Sequence, residues 1–396
     1  MATYPSILLQ PGRDRRLRAG HPWAFASDLR LDAAAKALPP GSVVNVADAQ
    51  GRFIGTGTFN YHSLIAARLF ASHPDAALDV NFFAGRLRAA LAWRANLYAE
   101  PHYRLIHAEG DGMPGFIVDR FGDVVVVQAN TAGAEVLLPA LVQALRREMN
   151  PTAVVVRRDG DVRKLEGLET GEAELAHGQV PAALCVREAG LAFPLDPLAG
   201  QKTGWYFDLE PARGQMAQLA GGGTMLDLYC HTGAFGVRAA AAGATDVLCI
   251  DRSEPALALA RAAAEANGVA GRCRFRRGEV FAELERLAGE KTRFDAVIAD
   301  PPSFVKSKKE LAAGARGYRK LARMAAAVTA PKGFLFIASC SHNMPDELFG
   351  EEVAAGIAAA NRTGRILFSG GAGPDHPVPP QLPESSYIKY RILQLD

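Results

Sequence analysis

Cysteine is scarce in this chain: the five thiols, Cys185, Cys230, Cys249, Cys273 and Cys340, are odd in number, widely spaced and never form a C-x-x-C pair. That pattern suggests neither a disulfide framework nor a zinc site. His231 and His342 each lie near a cysteine but lack a second pair at ligand spacing, so no metal is expected. Long apolar runs are missing too, none approaching the ~18 residues of a membrane span. The opening "MATYPSILLQPGRDRR" has no signal-peptide stretch, and a cytoplasmic protein is expected. An excess of one charge is also lacking, with 44 basic against 42 acidic residues. Contact with nucleic acid must therefore come from local clusters and not from a strongly basic domain. Finally the turn "LDLYCHTGAFG" holds no G-x-G-x-x-G, which disfavours a pyrophosphate-binding dinucleotide site there.

What is present organises the 396 residues into several parts, since the chain is longer than one domain usually runs. Residues 1–71 read as a small β-rich module: "SVVNVADAQGRFIGTGTFN" holds two β-branched runs around the turn signal "DAQGR", and "LIAARLF" adds another. Residues 72–191 read as α+β, with helices expected over 79–99 and 134–149 and strands at "GFIVDRF", "DVVVVQA" and "AVVVRRD". Residues 192–396 alternate strands and helices: "TMLDLY", helix 234–242, "DVLCID", helix 254–267, "RCRFRRG", helix 280–288, "FDAVIAD", helix 317–328, "FLFIASC". That alternation predicts an α/β, doubly wound, Rossmann-like sheet, with the two last β-like runs as antiparallel edge strands.

Ligands of such a sheet bind beyond the C-terminal strand ends, and four of these ends carry chemistry. "LDLYCHTGAFG" places Asp227 before a glycine turn, and "LCIDRS" ends on Asp251, about 20 residues after that turn, a spacing that suits a ribose diol. Without a phosphate loop, the pair points to S-adenosylmethionine; either Asp alone could simply cap a turn. "IADPPSF" ends on Asp300, held by Pro301 and the proline after it, with Phe304 offering a face for stacking on a base. This layout alone does not choose between methylation at nitrogen and at carbon.

Cys340 ends "FLFIASC", a strand expected beside that of Asp300, so thiol and carboxylate can face one pocket. Buried free cysteines are commonly small hydrophobes, which suits Cys249 and Cys273 inside their strands. A thiolate at Cys340 could instead add to carbon 6 of a pyrimidine, turning carbon 5 into an enamine that attacks a sulfonium methyl. Asp300 would then bind the N3/N4 edge and support charge developing on the ring. The base that removes the carbon-5 proton is not identifiable, and uracil is as open as cytosine.

These residues resemble the three-domain bacterial methyltransferases that form 5-methylcytosine in large-subunit (23S) ribosomal RNA. "GHPWAF" and "GSVVNVADAQGRFIGTGTFNYHSLIAARLF" look like the family's N-terminal PUA domain, "GDGMPGFIVDRFGD" like its central domain, and "KTGWYFD", "DLYCHTGAFG", "ADPPSF" and "SCSHNM" like its catalytic domain. The resemblance implies a class I methyltransferase sheet, S-adenosylmethionine as donor, ribosomal RNA as partner, a homodimer, and Cys340 as nucleophile. It implies a donor site from Lys202, Asp227, Tyr229, Thr232, Gly233, Asp251, Arg252 and Glu279, and contact of Asp300, Pro301 and Phe304 with the base. The chain departs from the family at Cys230-His231, usually Ser-Tyr, at "LEPAR" after Asp208, at Ala322, where Asn is common, and at Glu279, where Asp or Asn is usual.

Two basic clusters are candidates for phosphate contact: Arg13, Arg15, Arg16 and Arg18 beside Trp23 and Phe25, and Lys306, Lys308, Lys309, Arg316, Arg319 and Lys320 after the Asp300 motif. Three rivals stay open. An exocyclic-amine methyltransferase would need Asp300 and Phe304 but not Cys340; a small-molecule methyltransferase would not bind RNA; a non-catalytic RNA-binding protein would bind RNA without turnover.

Overall fold

A computed structural model describes residues 4–200 and 203–396. The chain divides into two compact units, one of Met1–Leu184, Leu195–Tyr206 and Pro374–Pro383, the other of Cys185–Pro194, Phe207–Gly373 and Glu384–Asp396.

The first unit contains two five-stranded sheets. One is built from Ser6–Leu8, Trp23–Ala24, Ser42–Ala47, Phe53–Phe59 and Ala67–Ala71, around a core that includes Leu9, Val44, Val46 and Phe59. Its turn at "DAQGR" forms because the Asp48 carboxylate accepts from the Gln50 and Arg52 amides, both at 2.9 Å, and Gly51 supplies a φ of +80°. The other sheet contains His102–His107, Phe116–Phe121, Val124–Ala129, Ala153–Arg157 and Glu174–Gly178. Its strands Val124–Ala129 and Ala153–Arg157 run parallel, joined through the helix Ala132–Met149. The helix expected over 79–99 spans Val80–Arg94; it stops because the amides of Leu97 and Tyr98 both turn back to the Arg94 carbonyl. Buried Glu166 ties the two sheets, accepting from Ser63 Oγ at 2.7 Å and Arg68 at 2.9 Å. The segment Pro374–Pro383 also belongs here: Asp375 accepts from the Arg104 amide at 2.9 Å, and the Arg104 guanidinium reaches His376 Nε2 at 3.0 Å and Asp119 at 2.9 Å.

The second unit contains a two-stranded hairpin, Cys185–Glu188 with Leu191–Pro194, and a seven-stranded sheet: β1 (Thr224–Leu228), β2 (Asp246–Asp251), β3 (Cys273–Arg277), β4 (Phe294–Ala299), β5 (Thr329–Ser339), β6 (Gly364–Gly370) and β7 (Lys389–Leu395). Their spatial order is β3-β2-β1-β4-β5-β7-β6, the first five parallel and β7 antiparallel to both its neighbours, β5 and β6. Only β6 is the edge strand on that side; β7 lies between β5 and β6. After a first helix, Glu210–Leu219, come α1 (Ala234–Ala241), α2 (Glu254–Ala266), α3 (Val280–Gly289), α4 (Leu311–Val328) and α5 (Asp346–Ala359). Ser253 caps α2 by accepting from the Ala256 amide. Helix α4 begins before the expected 317, behind a capping box of Ser307 and Glu310. Its Gly314 is needed for close packing: a Cβ there would lie 2.4 Å from the Phe304 carbonyl oxygen. No helix among the described residues is long and apolar enough to cross a membrane.

Candidate active site

The β strands 1, 2, 4 and 5 are buried, so polar groups gather where they end. After β1 the chain passes through Tyr229, His231 and Gly233 at φ of 60°, 49° and 77°, three left-handed residues in one short loop. Two of them carry side chains, so the loop stores conformational strain. It is pinned from both sides: the Cys230 amide donates to the Ile250 carbonyl at 3.1 Å, and the His231 amide to Asp251 Oδ2 at 3.0 Å. The other Asp251 oxygen takes the Ser253 amide at 2.8 Å. Asp227, buried at 1% exposure, accepts from the Gly236 amide at 2.9 Å. A Cβ at Gly236 would lie 2.6 Å from Cys249 Sγ and 3.2 Å from Asp227 Oδ2, so glycine is what allows α1 to sit on β1 and β2.

Burial pushes the Asp227 carboxyl up to about 7, opposed by the Gly236 amide and reinforced by the charges of Asp300 and Asp251. Three carboxyls on neighbouring strand ends thus make a region of negative potential. Burial also raises the Tyr229 phenol, with Glu279 and Asp251 adding to the shift, which places that ring among the acidic groups. Glu279 and Arg252 are exposed, and Thr232 is buried. Lys202 lies outside the described residues.

The ends of β4 and β5 are joined differently. These strands pair in parallel, with Ala299 opposite Ile337. Cys340 Sγ approaches the Pro301 carbonyl oxygen at 3.9 Å, so the thiol and the Asp300 turn lie together. Ser341 Oγ is the hub: it shares hydrogen bonds with Ser303 Oγ and with Tyr318 OH, both at 2.8 Å, and accepts from the Val305 amide at 3.3 Å. Ser339 Oγ donates to Tyr318 OH at 2.8 Å. Tyr318, fully buried on α4, locks the turn after β4 to the turn after β5. The Phe304 ring, expected to offer a stacking face, packs against Tyr318 (4.8 Å between centroids) and Phe281 (6.3 Å).

Sequence reasoning missed Tyr318, Ser303, Ser339 and Ser341, and also Lys389, whose ammonium binds the carbonyls of Ser341 and Met344 at 2.9 and 2.6 Å. A hydroxyl-rich "SCS" at a strand end was the available signal for the serines; nothing local marks Tyr318 or Lys389. Beside the Cys340 turn opens a cleft of about 530 Å³ whose walls include His342, Asp346, Glu384, Lys389 and Arg391.

In the first unit, Arg13, Arg15, Arg16, Phe25 and Asp28 line a cleft of about 460 Å³. Arg16 stacks over Phe25 at 4.6 Å and pairs with Asp28 at 3.1 Å. Arg18 is held by Asp14 and Asp48, both at 2.7 Å. Arg319 is bidentate to Glu352 at 2.7 and 3.0 Å. Arg13, Arg15, Lys306, Lys308 and Lys309 are exposed and form no ion pair among the described residues.

Comparison with known proteins places this geometry. Residues 7–72 match a PUA-like domain, and residues 139–366 match the S-adenosylmethionine-dependent methyltransferase model. Curated relatives named "Ribosomal RNA large subunit methyltransferase I" include proteins of Erwinia tasmaniensis, 36% identical over 97% of both chains, and Alteromonas mediterranea, 36% identical over 98% of both. The chain belongs to the S-adenosylmethionine-dependent methyltransferase family. Its fold is shared with a protein assigned to the SAM-dependent methyltransferases of Streptococcus mutans, with a TM-score of 0.83, 22% identity and coverage of 98% of this chain and 100% of the other. A second such structure, complexed with SAH, aligns with a TM-score of 0.84 at 21% identity over the same shares.

The strand-end groups fit this donor chemically. The methyltransferase's carboxyls Asp227, Asp251 and Asp300 suit a ligand carrying a sulfonium and an ammonium, and the glycine-opened, phosphate-free loop 229–236 lets backbone approach it.

Proposed function

We propose that this methyltransferase forms 5-methylcytosine in large-subunit ribosomal RNA through a covalent Cys340–pyrimidine adduct. The RNA substrate class follows its relatives' names, at 36% identity over nearly the whole chain. The observation that carries the chemistry is the approach of Cys340 Sγ to the Pro301 carbonyl, which puts a thiol beside the carboxylate turn. An amine methyltransferase has no use for a thiol there.

Asp227, Tyr229, Thr232, Gly233, Asp251, Arg252 and Glu279 would hold S-adenosylmethionine, which when bound supplies an electrophilic methyl. Lys202 is a further member of that proposed set. The Cys340 thiolate adds to carbon 6 of the ring, and the electron pair of the 5,6 double bond moves to carbon 5, making it nucleophilic. Asp300 orients the N3/N4 edge and balances charge on the ring, with Pro301 and Phe304 flanking the base. After methylation a base takes the carbon-5 proton, the returning pair expels the thiolate, and the aromatic ring is restored. Arg13, Arg15, Arg16 and Arg18, with Lys306, Lys308, Lys309 and Arg319, supply phosphate contacts; of these, the unpaired Arg13, Arg15 and the three lysines offer the most available charge.

The test is methyl transfer from labelled S-adenosylmethionine to unmodified large-subunit rRNA, with the product nucleoside identified by mass spectrometry. 5-Methylcytosine from the wild type and none from Cys340→Ala is the expected result. A methylated exocyclic amine, formed equally by the variant, would assign the chemistry to Asp300 without the thiol.

A further inference from the structure

The Cys340 turn is held from behind by a buried cation. Lys389 opens β7 and lies opposite Ser339 in the antiparallel β5–β7 register, one residue before the thiol. It is only 8% exposed. Its ammonium donates to the carbonyls of Ser341 and Met344, the two ends of the turn that the Met344 amide closes onto the Ser341 carbonyl at 3.1 Å. Among the described residues no carboxylate stands within ion-pair distance of it, and Asp346, whose charge reaches it, is engaged by Arg391 at 2.8 Å.

A lysine at this depth bonded to neutral carbonyls is unusual, because a buried ammonium is costly without an anion nearby. Burial pushes this ammonium down, Arg391 pushes the same way, and the charges of Asp346 and Cys340 oppose them. The charged and titratable groups facing Lys389 and the thiol's turn include Arg391 from β7, Asp346 from α5, Tyr318 from α4, the thiol itself and Asp300 beside Pro301, with His342 and Glu384 on the adjoining cleft. Of the two cations, Lys389 is the one that touches the thiol's own turn.

We propose that Lys389 is a positioning residue whose ammonium fixes the 341–344 turn and serves as counter-ion to the Cys340 thiolate. The proposal rests on Cys340 being the nucleophile. It gives the enzyme a reason to keep a cation at this spot: the anion that completes the pair is the reactive form of the thiol, and it forms only when the thiol ionises.

Alkylation of Cys340 by iodoacetamide across pH 6 to 10, followed by peptide mass spectrometry, reads the thiolate directly in the full-length protein without RNA. Cys340 is partly exposed. The midpoint is expected to rise by about one pH unit in Lys389→Met, a roughly tenfold slower reaction at neutral pH, and to stay near wild type in Lys389→Arg. Lys389→Gln separates charge from hydrogen bonding, since its amide can still reach a carbonyl; its midpoint is expected to rise like that of Lys389→Met. Should Lys389→Met fail to fold, the Gln variant decides alone. A wild-type midpoint in folded Lys389→Gln or Lys389→Met overturns the proposal. A shifted midpoint together with methylation surviving Cys340→Ala would instead leave the ion pair standing and remove its catalytic use.

Discussion

The loop after β1 and the turns after β4 and β5 sit on the same sheet edge and are held in opposite ways. The first is fixed by backbone amides: Cys230, His231, Gly236 and Ser253 all donate to strand-end acceptors, and three left-handed residues bend the chain between them. The second is fixed by side chains, with Ser341, Tyr318, Ser303 and Ser339 exchanging hydroxyl hydrogen bonds. A backbone-built loop leaves a smooth wall against which a small cofactor can lie. A hydroxyl-built turn holds one side chain, Cys340, in a set direction. On the proposed assignment, binding and bond-making are supported by separate networks.

That separation can be broken from either side. The largest effect belongs to the thiol: Cys340→Ala should lower the methylation rate by about 10³-fold or more, with the dissociation constant for S-adenosylmethionine unchanged by calorimetry. Tyr318→Phe removes the phenol that locks the two turns. A destabilisation of about 1–3 kcal/mol is expected from thermal unfolding, with kcat down roughly 10- to 100-fold from misplacement of the thiol and donor affinity kept.

The opposite pattern belongs to the β1 loop. Gly236→Ala should weaken donor binding and destabilise the fold by about 1–3 kcal/mol, since its Cβ meets Cys249 and Asp227. The Asp227 carboxyl also gives this loop a pH signature. Its value in the folded protein, about 7, lies above the 3.8 of a free aspartate, so the donor-free protein loses stability as pH rises from about 4 through about 7. A cationic ligand favours the ionised form, so affinity for S-adenosylmethionine should climb up to tenfold per unit below pH 7 and level off above it. Titration calorimetry with Asp227→Asn should show a flat profile.

The smallest effect lies far from the chemistry. Arg13→Ala with Arg15→Ala should weaken RNA binding uniformly across sequences and flatten its salt dependence by roughly one to two phosphates' worth, leaving donor affinity untouched.

Much of the site is legible in the sequence because buried parallel strands read as apolar runs, so a polar residue closing such a run marks itself. Asp227, Asp251, Asp300 and Cys340 all stand at or just past a strand end for that reason. The supporting residues do not announce themselves. Tyr318 reads as one more apolar position on a helix, and its role depends on α4 starting at Leu311 and packing on the Phe304 turn. Lys389 reads as a surface lysine in "YIKY" until the antiparallel register sets it against Ser339. The segment Pro374–Pro383 reads as a loop between edge strands, yet Asp375 and His376 bond to Arg104 in the first unit, a pairing no local pattern encodes. Long-range register, and not residue type, decides these three.

The central claim is that Cys340 becomes covalently bound to the pyrimidine. Incubating the wild-type enzyme and S-adenosylmethionine with large-subunit rRNA fragments containing 5-fluorocytidine tests it most directly, because fluorine at carbon 5 prevents the proton loss that frees the thiol. The account predicts a denaturation-resistant protein–RNA complex whose crosslinked peptide contains Cys340. Methylation of the unfluorinated fragment, with no such complex on the fluorinated one, would contradict it.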